Sequence, residues 1–181
     1  MPDTKNPWEL KSNRLIYENP WIQVNHHEVT DPSGNPGIYG KVHFKNYAVA
    51  ILPIDENGNT WIVGQYRYPL HRYSWEIPEG GCPINTEPLD SAKRELQEEA
   101  GIIAEEWELL LEADISNSIT DEVSYIYLAK RLSFSEQSLE STEDITVKKL
   151  PFIELLEMVK SGEIRDSLTI MAVLYYQQKF L

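Results

Sequence analysis

Glu95, Glu98 and Glu99 stand within five residues of one another, directly after Arg94. At 3.6 residues per turn they fall on one patch of a helix, within about a 100° arc. Like charges three and four residues apart destabilise a helix by roughly 0.2–0.5 kcal/mol per pair. Glu98 and Glu99 also lie close to the end of the helical stretch, where the macrodipole disfavours anions. Two readings follow. The plain one is a solvated acidic face. The sharper one is that a hard divalent cation offsets the repulsion, since Mg²⁺ and Mn²⁺ take oxygen ligands and leave other positions to water and substrate phosphates.

The element that holds these carboxylates has its own start and stop signals. Pro88 suits a first helical turn, where its missing N–H has no intrahelical partner, and Thr86 just before it is placed to cap that turn. Gly101 supplies the stop. Leu89, Ala92, Leu96 and Ala100 form the apolar face beside the acidic one. Before the helix, Gly80 to Asn85 reads as a loop and residues 75–77 as a short strand.

The rest of the chain supplies a sheet to pack against. Residues 47–54 and 60–66 are β-rich runs joined by a hairpin signal at Asn57-Gly58. Residues 108–115, 123–134 and 145–150 are further strands, the second with clear alternation. Pro151 opens a helix with Phe152, Leu155, Leu156 and Val159 as its stripe, stopped by Gly162. Asp166 or Ser167 caps a last helix running to Phe180. Strands interleaved with helices predict an α/β/α sandwich. The first 44 residues read differently: alternation at 21–26, dense turn formers at 31–37 and an extended run at 38–44 predict a small antiparallel β unit. The domain boundaries expected are therefore 1–44 and 45–181.

Composition narrows the function. A chain of 181 residues with 41% hydrophobic and 25% charged residues is globular rather than disordered. Its net charge of −13 speaks against binding nucleic acid or an anionic membrane without specificity. It does not speak against a phosphate substrate, because bound cations invert the local field. Cys82 is the only cysteine, so no intrachain disulfide or thiolate cluster forms. His26, His27, His43 and His71 show no metal-ligand spacing. No secretory signal and no apolar run long enough to span a bilayer is present, and a cytoplasmic protein is expected.

Gly80, Arg94, Glu95, Leu96, Glu98, Glu99, Gly101 and Ile102 resemble the Nudix box, matching eight of its nine fixed positions over 23 residues. The ninth departs: the family's first glutamate, an organiser of the loop and helix, falls on Thr86. The flanks resemble the ADP-ribose pyrophosphatase branch, through Gln65-Tyr66-Arg67, Arg72 and Glu76-Ile77-Pro78-Glu79-Gly80 before the box and Glu143-Asp144-Ile145 and residues 162–167 after it. The resemblance implies a Nudix-type α/β/α sandwich with a mixed sheet. It implies hydrolysis of the diphosphate in ADP-ribose or a related nucleoside diphosphate sugar, with Mg²⁺ as cofactor and Mn²⁺ as a substitute. It also implies a homodimer built with the N-terminal unit.

On that reading Glu95 and Glu99, one turn apart, are the first metal ligands, with Glu98 third and the backbone carbonyl of Glu79 a further one. Arg94 holds the loop and the carboxylates by charge-assisted bonds. Arg67 and then Arg72 are the phosphate or ribose contacts, since guanidinium offers paired donors. Tyr39 and Trp21 either stack on a base or pack the N-terminal sheet. The general base stays open between Glu143, Glu122 and Glu140, because the catalytic glutamate of some members falls on Ser141. Two other functions remain in play. One is the same fold cutting another substrate, such as a dinucleoside polyphosphate. The other is a nucleotide-binding regulatory module without catalysis.

Overall fold

The computed structural model describes residues 5–139 and 144–181. By backbone contacts the chain forms two compact units. One comprises residues up to Asn46 together with Asp114–Glu122; the other comprises Tyr47–Ala113 and Val123–Leu181.

The first unit is a three-stranded antiparallel sheet of β1 (Glu9–Glu18), β2 (Ile22–Thr30) and β3 (Pro36–Phe44), in that order. Its turns are built by short polar side chains. Asn19 Oδ1 accepts from the N–H groups of Trp21 (2.9 Å) and Ile22 (2.8 Å), and Asp31 Oδ1 accepts from Ser33 (2.8 Å) and Asn35 (2.9 Å). The segment Asp114–Glu122 is continuous with strands of the second unit, yet it packs here. Val42 N–H donates to the Ile119 carbonyl (2.9 Å), and Asp121 takes the Phe44 N–H (3.0 Å) and the Lys41 ammonium (2.7 Å). Every residue of β1 is exposed, including Leu10, Leu15, Ile16 and Tyr17.

The second unit carries two sheets. One has the order β10 (Thr146–Pro151), β5 (Asn59–Arg67), β6 (Arg72–Glu76), all antiparallel. The other has the order β7 (Glu79–Pro83), β4 (Asn46–Pro53), β9 (Glu122–Phe134), β8 (Ile102–Ile115), with β4 and β9 parallel. Val49, Ala50, Ile51 and Leu52 are all fully buried, so β4 is covered on both faces. On one face, Val49 and Ile51 cluster with Ala92 and Leu96 of α1 (Pro88–Ala100), together with Cys82 and Tyr127. The helices α2 (Phe152–Lys160) and α3 (Ser167–Phe180) pack on each other, and α2 also packs on β5 and β10.

Two local expectations change. Residues 80–83, read as loop, join Glu79 in β7 beside β4. Thr86 does not cap α1: Glu87 occupies the N-cap position and makes no side-chain bond there, while Thr86 N–H closes a turn on the Pro83 carbonyl (2.8 Å). Pro88 at the first helical positions and Asp90 in the first turn start the helix without a side-chain cap. The stop is as expected. Gly101 has φ 63°, and a Cβ there would come within 2.6 Å of the Ser135 carbonyl, so both conformation and space require glycine.

Candidate active site

The acidic patch of α1 is not a solvated face. Glu95 and Glu99 are only 7% and 2% exposed, while the Glu98 side chain is 30% exposed. Buried carboxylates need polar partners. Arg94 supplies three contacts. Its Nη2 donates to Glu95 Oε1 (2.5 Å) and to the Gly81 carbonyl (3.0 Å), and its Nη1 donates to Glu98 Oε2 (2.6 Å). Arg94 thus ties α1 to β7, the positioning role expected of it. Burial disfavours its charge, but the charges of Glu95 and Glu98 outweigh that and raise its pKa. Glu99 Oε2 accepts the Glu79 N–H at 2.8 Å. Gly80 completes the cradle: a Cβ there would overlap the Glu95 carboxyl, so only glycine lets backbone and carboxylate approach so closely.

A second acidic cluster lies in the same unit. Carboxylate oxygens of Glu76, Glu79 and Asp166 all fall within 4.8 Å of one another. They come from the end of β6, the start of β7 and the N-cap of α3. Arg67, at the end of β5, is the cation among them. Its Nε donates to Glu76 Oε1 (3.1 Å) and Oε2 (3.0 Å), and its Nη2 donates to Glu76 Oε2 (2.6 Å) and Glu79 Oε1 (2.6 Å). Burial disfavours the Arg67 charge, yet the hydrogen bonds it donates to Glu76 and the charges of Glu79, Glu76 and Glu99 win, and its pKa is raised. For Glu79 the balance goes the other way. Burial first, then the charges of Asp166 and Glu76, push its pKa well above the ordinary carboxyl value, and Arg67 opposes them only in part. Glu79 Oε2 is buried with no hydrogen-bond partner among the described residues.

Asp166 also works on its own helix. Its Oδ2 accepts the Thr169 N–H (2.7 Å) and the Thr169 hydroxyl (2.8 Å), and that hydroxyl accepts the Ile77 N–H (2.9 Å). Asp166 is therefore the cap, as one of the two expected residues.

The second unit thus holds Glu79, Glu95, Glu98, Glu99, Arg67 and Arg72. Arg67 has Nε and Nη2 committed to carboxylates, which leaves Nη1 for a ligand. Arg72 begins β6, half-buried and paired with Arg67 across the strands, and its side chain has no hydrogen bond or ion pair among the described residues. Tyr39 and Glu122 belong to the first unit. Tyr39 donates its hydroxyl to the Ser118 carbonyl and meets Trp8 edge-on, so it packs within its own unit. Trp21 is exposed. Glu122 is half-buried, and burial raises its pKa. Glu143, Glu140 and Ser141 lie outside the described residues.

The residues fit a hard divalent cation on three observations. The donors are all oxygen. The Gly80 backbone yields its space to the Glu95 carboxyl. Glu79, whose N–H bonds Glu99, keeps a buried carboxylate oxygen without a hydrogen donor. Sequence reasoning gave no role to Glu76 or Thr169, and to Asp166 only that of a cap. One signal was present for Glu76: it opens the Glu76-Ile77-Pro78-Glu79-Gly80 run that resembles the family branch.

Residues 45–169 match the NUDIX domain, and residues 8–42 match the nucleoside diphosphate sugar hydrolase N-terminal domain. An ADP-ribose pyrophosphatase of Mycobacterium tuberculosis (strain ATCC 25618 / H37Rv) is 32% identical over 174 residues, covering 94% of this chain and 83% of that protein. An ADP-ribose pyrophosphatase of Bacillus subtilis (strain 168) is 35% identical over 134 residues, covering 73% of this chain and 72% of that protein. A crystal structure of an ADP compounds hydrolase superposes with a TM-score of 0.85 over 94% of this chain and 92% of that one. Its identity is 16%, so it is a likeness of fold.

Proposed function

The chain belongs to the NUDIX domain family, with the α/β fold its sequence predicts, and on that footing we propose that it hydrolyses ADP-ribose with a divalent cation, magnesium or in its place manganese. It is a Nudix pyrophosphohydrolase of nucleoside diphosphate sugars. Water adds to one phosphorus, the bridging P–O bond breaks, and a nucleoside monophosphate and a sugar phosphate leave. From ADP-ribose these are AMP and ribose 5-phosphate.

The observation that carries the reading is the pair Glu95 and Glu99, buried on one face of α1 against the backbone of Gly80 and Glu79. Glu95, Glu99, Glu98 and the Glu79 carbonyl would hold the cations. The chemistry such cations supply is neutralisation of charge on the diphosphate and activation of water. Arg94 keeps Glu95 and Glu98 in place, and the Glu79 N–H keeps Glu99 in place. Arg72, whose side chain has no hydrogen bond or ion pair among the described residues, is the phosphate contact, and Arg67 offers Nη1 on the neighbouring strand. Glu122 and Glu143 are the candidate general bases; a raised pKa makes Glu122 a better proton acceptor than an ordinary glutamate. Tyr39 is the candidate contact to the nucleotide base. The exposed apolar residues of β1 support a homodimer built through the first unit. No described helix is long and apolar enough to cross a membrane.

The test is product analysis on purified protein with Mg²⁺, across ADP-ribose, ADP-glucose, UDP-glucose and GDP-mannose. The expected result is AMP and ribose 5-phosphate, abolished by a chelator. Folded protein that cleaves none of these with Mg²⁺ or Mn²⁺ overturns the reading. Sedimentation of the same sample tests the dimer.

A further inference from the structure

We infer that Thr169 is a positioning residue for the divalent-cation site, acting through the backbone of residues 77–79; this rests on the hydrolase reading above. Thr169 is fully buried, and both roles of its hydroxyl are used. It donates to Asp166 Oδ2 (2.8 Å) and accepts from the Ile77 N–H (2.9 Å). Asp166 is an acceptor only, so it fixes the hydroxyl as donor on that side and turns a lone pair toward Ile77. Ile77 is itself fully buried, so water is not there to replace the hydroxyl as partner of that N–H.

The backbone of residues 77–79 makes polar contacts with three other elements. The Ile77 N–H goes to Thr169 on α3. The Pro78 carbonyl accepts from the Ile51 N–H on β4 (2.8 Å). The Glu79 N–H goes to Glu99 on α1 (2.8 Å). The backbone that orients Glu99 and carries the Glu79 carbonyl is therefore anchored, two residues upstream, by a single side-chain hydroxyl. Helix capping does not explain that hydroxyl. The Asp166 carboxylate already caps α3 through the Thr169 N–H at 2.7 Å, and a valine would supply that N–H equally well. What valine removes is the acceptor for Ile77.

The test compares Thr169→Val and Thr169→Ser with the wild type. Mn²⁺ binding to substrate-free protein is measured by calorimetry, and the Mg²⁺ concentration for half-maximal turnover is measured beside it. Loss of an outer support of metal ligands weakens affinity by about tenfold or more, so Thr169→Val is expected to weaken both quantities by that factor. KM for ADP-ribose at saturating Mg²⁺ is expected to change by less than about twofold, and Thr169→Ser is expected to restore Mn²⁺ affinity to within about twofold. A role in packing alone would lower the melting temperature and leave Mn²⁺ affinity unmoved. Folded Thr169→Val with wild-type Mn²⁺ affinity overturns the inference, as does a serine variant as weak as the valine one; in both cases wild-type turnover leaves the hydrolase reading standing. A wild type that neither binds Mn²⁺ nor hydrolyses any nucleoside diphosphate sugar overturns that reading and this inference together. Should Thr169→Val fail to fold, Thr169→Ala removes the hydroxyl without setting a methyl against the Ile77 N–H, and the same outcomes decide.

Discussion

The two acidic clusters of the second unit are built from the same residue type and solve opposite problems. Glu95, Glu98 and Glu99 sit on one helix; Arg94 of the same helix reaches Glu95 and Glu98, and the charge of Glu99 is felt by Arg67. Glu76, Glu79 and Asp166 come from three elements and enclose a cation of their own, Arg67. On the proposed function the first cluster receives a divalent cation; the second encloses the Arg67 guanidinium. Glu79 joins them, its side chain in one cluster and its N–H on Glu99 of the other. Proximity of carboxylates alone does not mark a metal site. The source of the compensating charge does.

The largest test of this contrast is Glu99→Gln. It keeps the shape and removes one negative ligand, so kcat is expected to fall by about 10²–10³-fold in steady-state assays on ADP-ribose. The melting temperature is expected to hold or rise, because a buried charge is gone. A loss below about tenfold would make the α1 cluster an ordinary ion-pair network.

Arg67→Met is the counterpart in the second cluster. Here the expected loss is in stability, about 3 kcal/mol by urea unfolding, because two buried carboxylates lose their partner. The Arg67 side chain is 33% exposed, which keeps the figure at the low end of the range for buried pairs. Adding Glu76→Gln is expected to recover part of it. If Mg²⁺ instead restored the stability of Arg67→Met, the second cluster would be a cation site after all and the comparison would fail.

A finer test uses pH. The folded-state pKa of Glu79 is raised, so between the ordinary value of 4.5 and the raised one the folded chain holds a proton that the unfolded chain releases. The contribution of Glu79 to stability is therefore greatest below about pH 4.5 and is lost as pH rises toward the folded midpoint, by about 1.4 kcal/mol per pH unit between the two. Glu79→Gln removes that slope and still offers Arg67 an oxygen. Unfolding free energies from pH 4 to 8, with chelator present, are expected to diverge as pH rises, the variant being the more stable. Parallel curves would mean that Arg67 compensates Glu79 fully.

What the sequence made legible follows from range. The α1 carboxylates repeat within one turn, and Pro88 and Gly101 bracket their helix, so spacing alone drew the patch. The hairpin at 55–59 was equally local: Asp55 Oδ1 accepts from Asn57 and Asn59, and Gly58 takes φ 74°. By contrast β7 reads Glu79-Gly80-Gly81-Cys82-Pro83, with no alternation and three turn formers, and only pairing with β4 makes it a strand. The meeting of Glu76 with Asp166 was opaque for the same reason. The contact that matters lies some 90 positions away along the chain, and no local period records it. Burial of Glu95 and Glu99 was also hidden, since spacing gives a face and not what covers it.

Thr86 probes the smallest difference, where the chain departs from the Nudix box. Its backbone makes a turn with Pro83, its carbonyl accepts from Cys82 Sγ (3.5 Å), and its side chain has no hydrogen bond among the described residues. The start of α1 rests on Pro88 and Asp90, so neither cluster depends on position 86. Thr86→Glu adds a negative charge near a helix N-terminus, worth about 0.3–1 kcal/mol in a melt. Turnover of ADP-ribose is expected to stay within about threefold, because the change adds no contact to Glu95 or Glu99. A rise above about tenfold would mean that a carboxylate here serves the proposed cation site, and the contrast between the two clusters would have to include the loop before the helix.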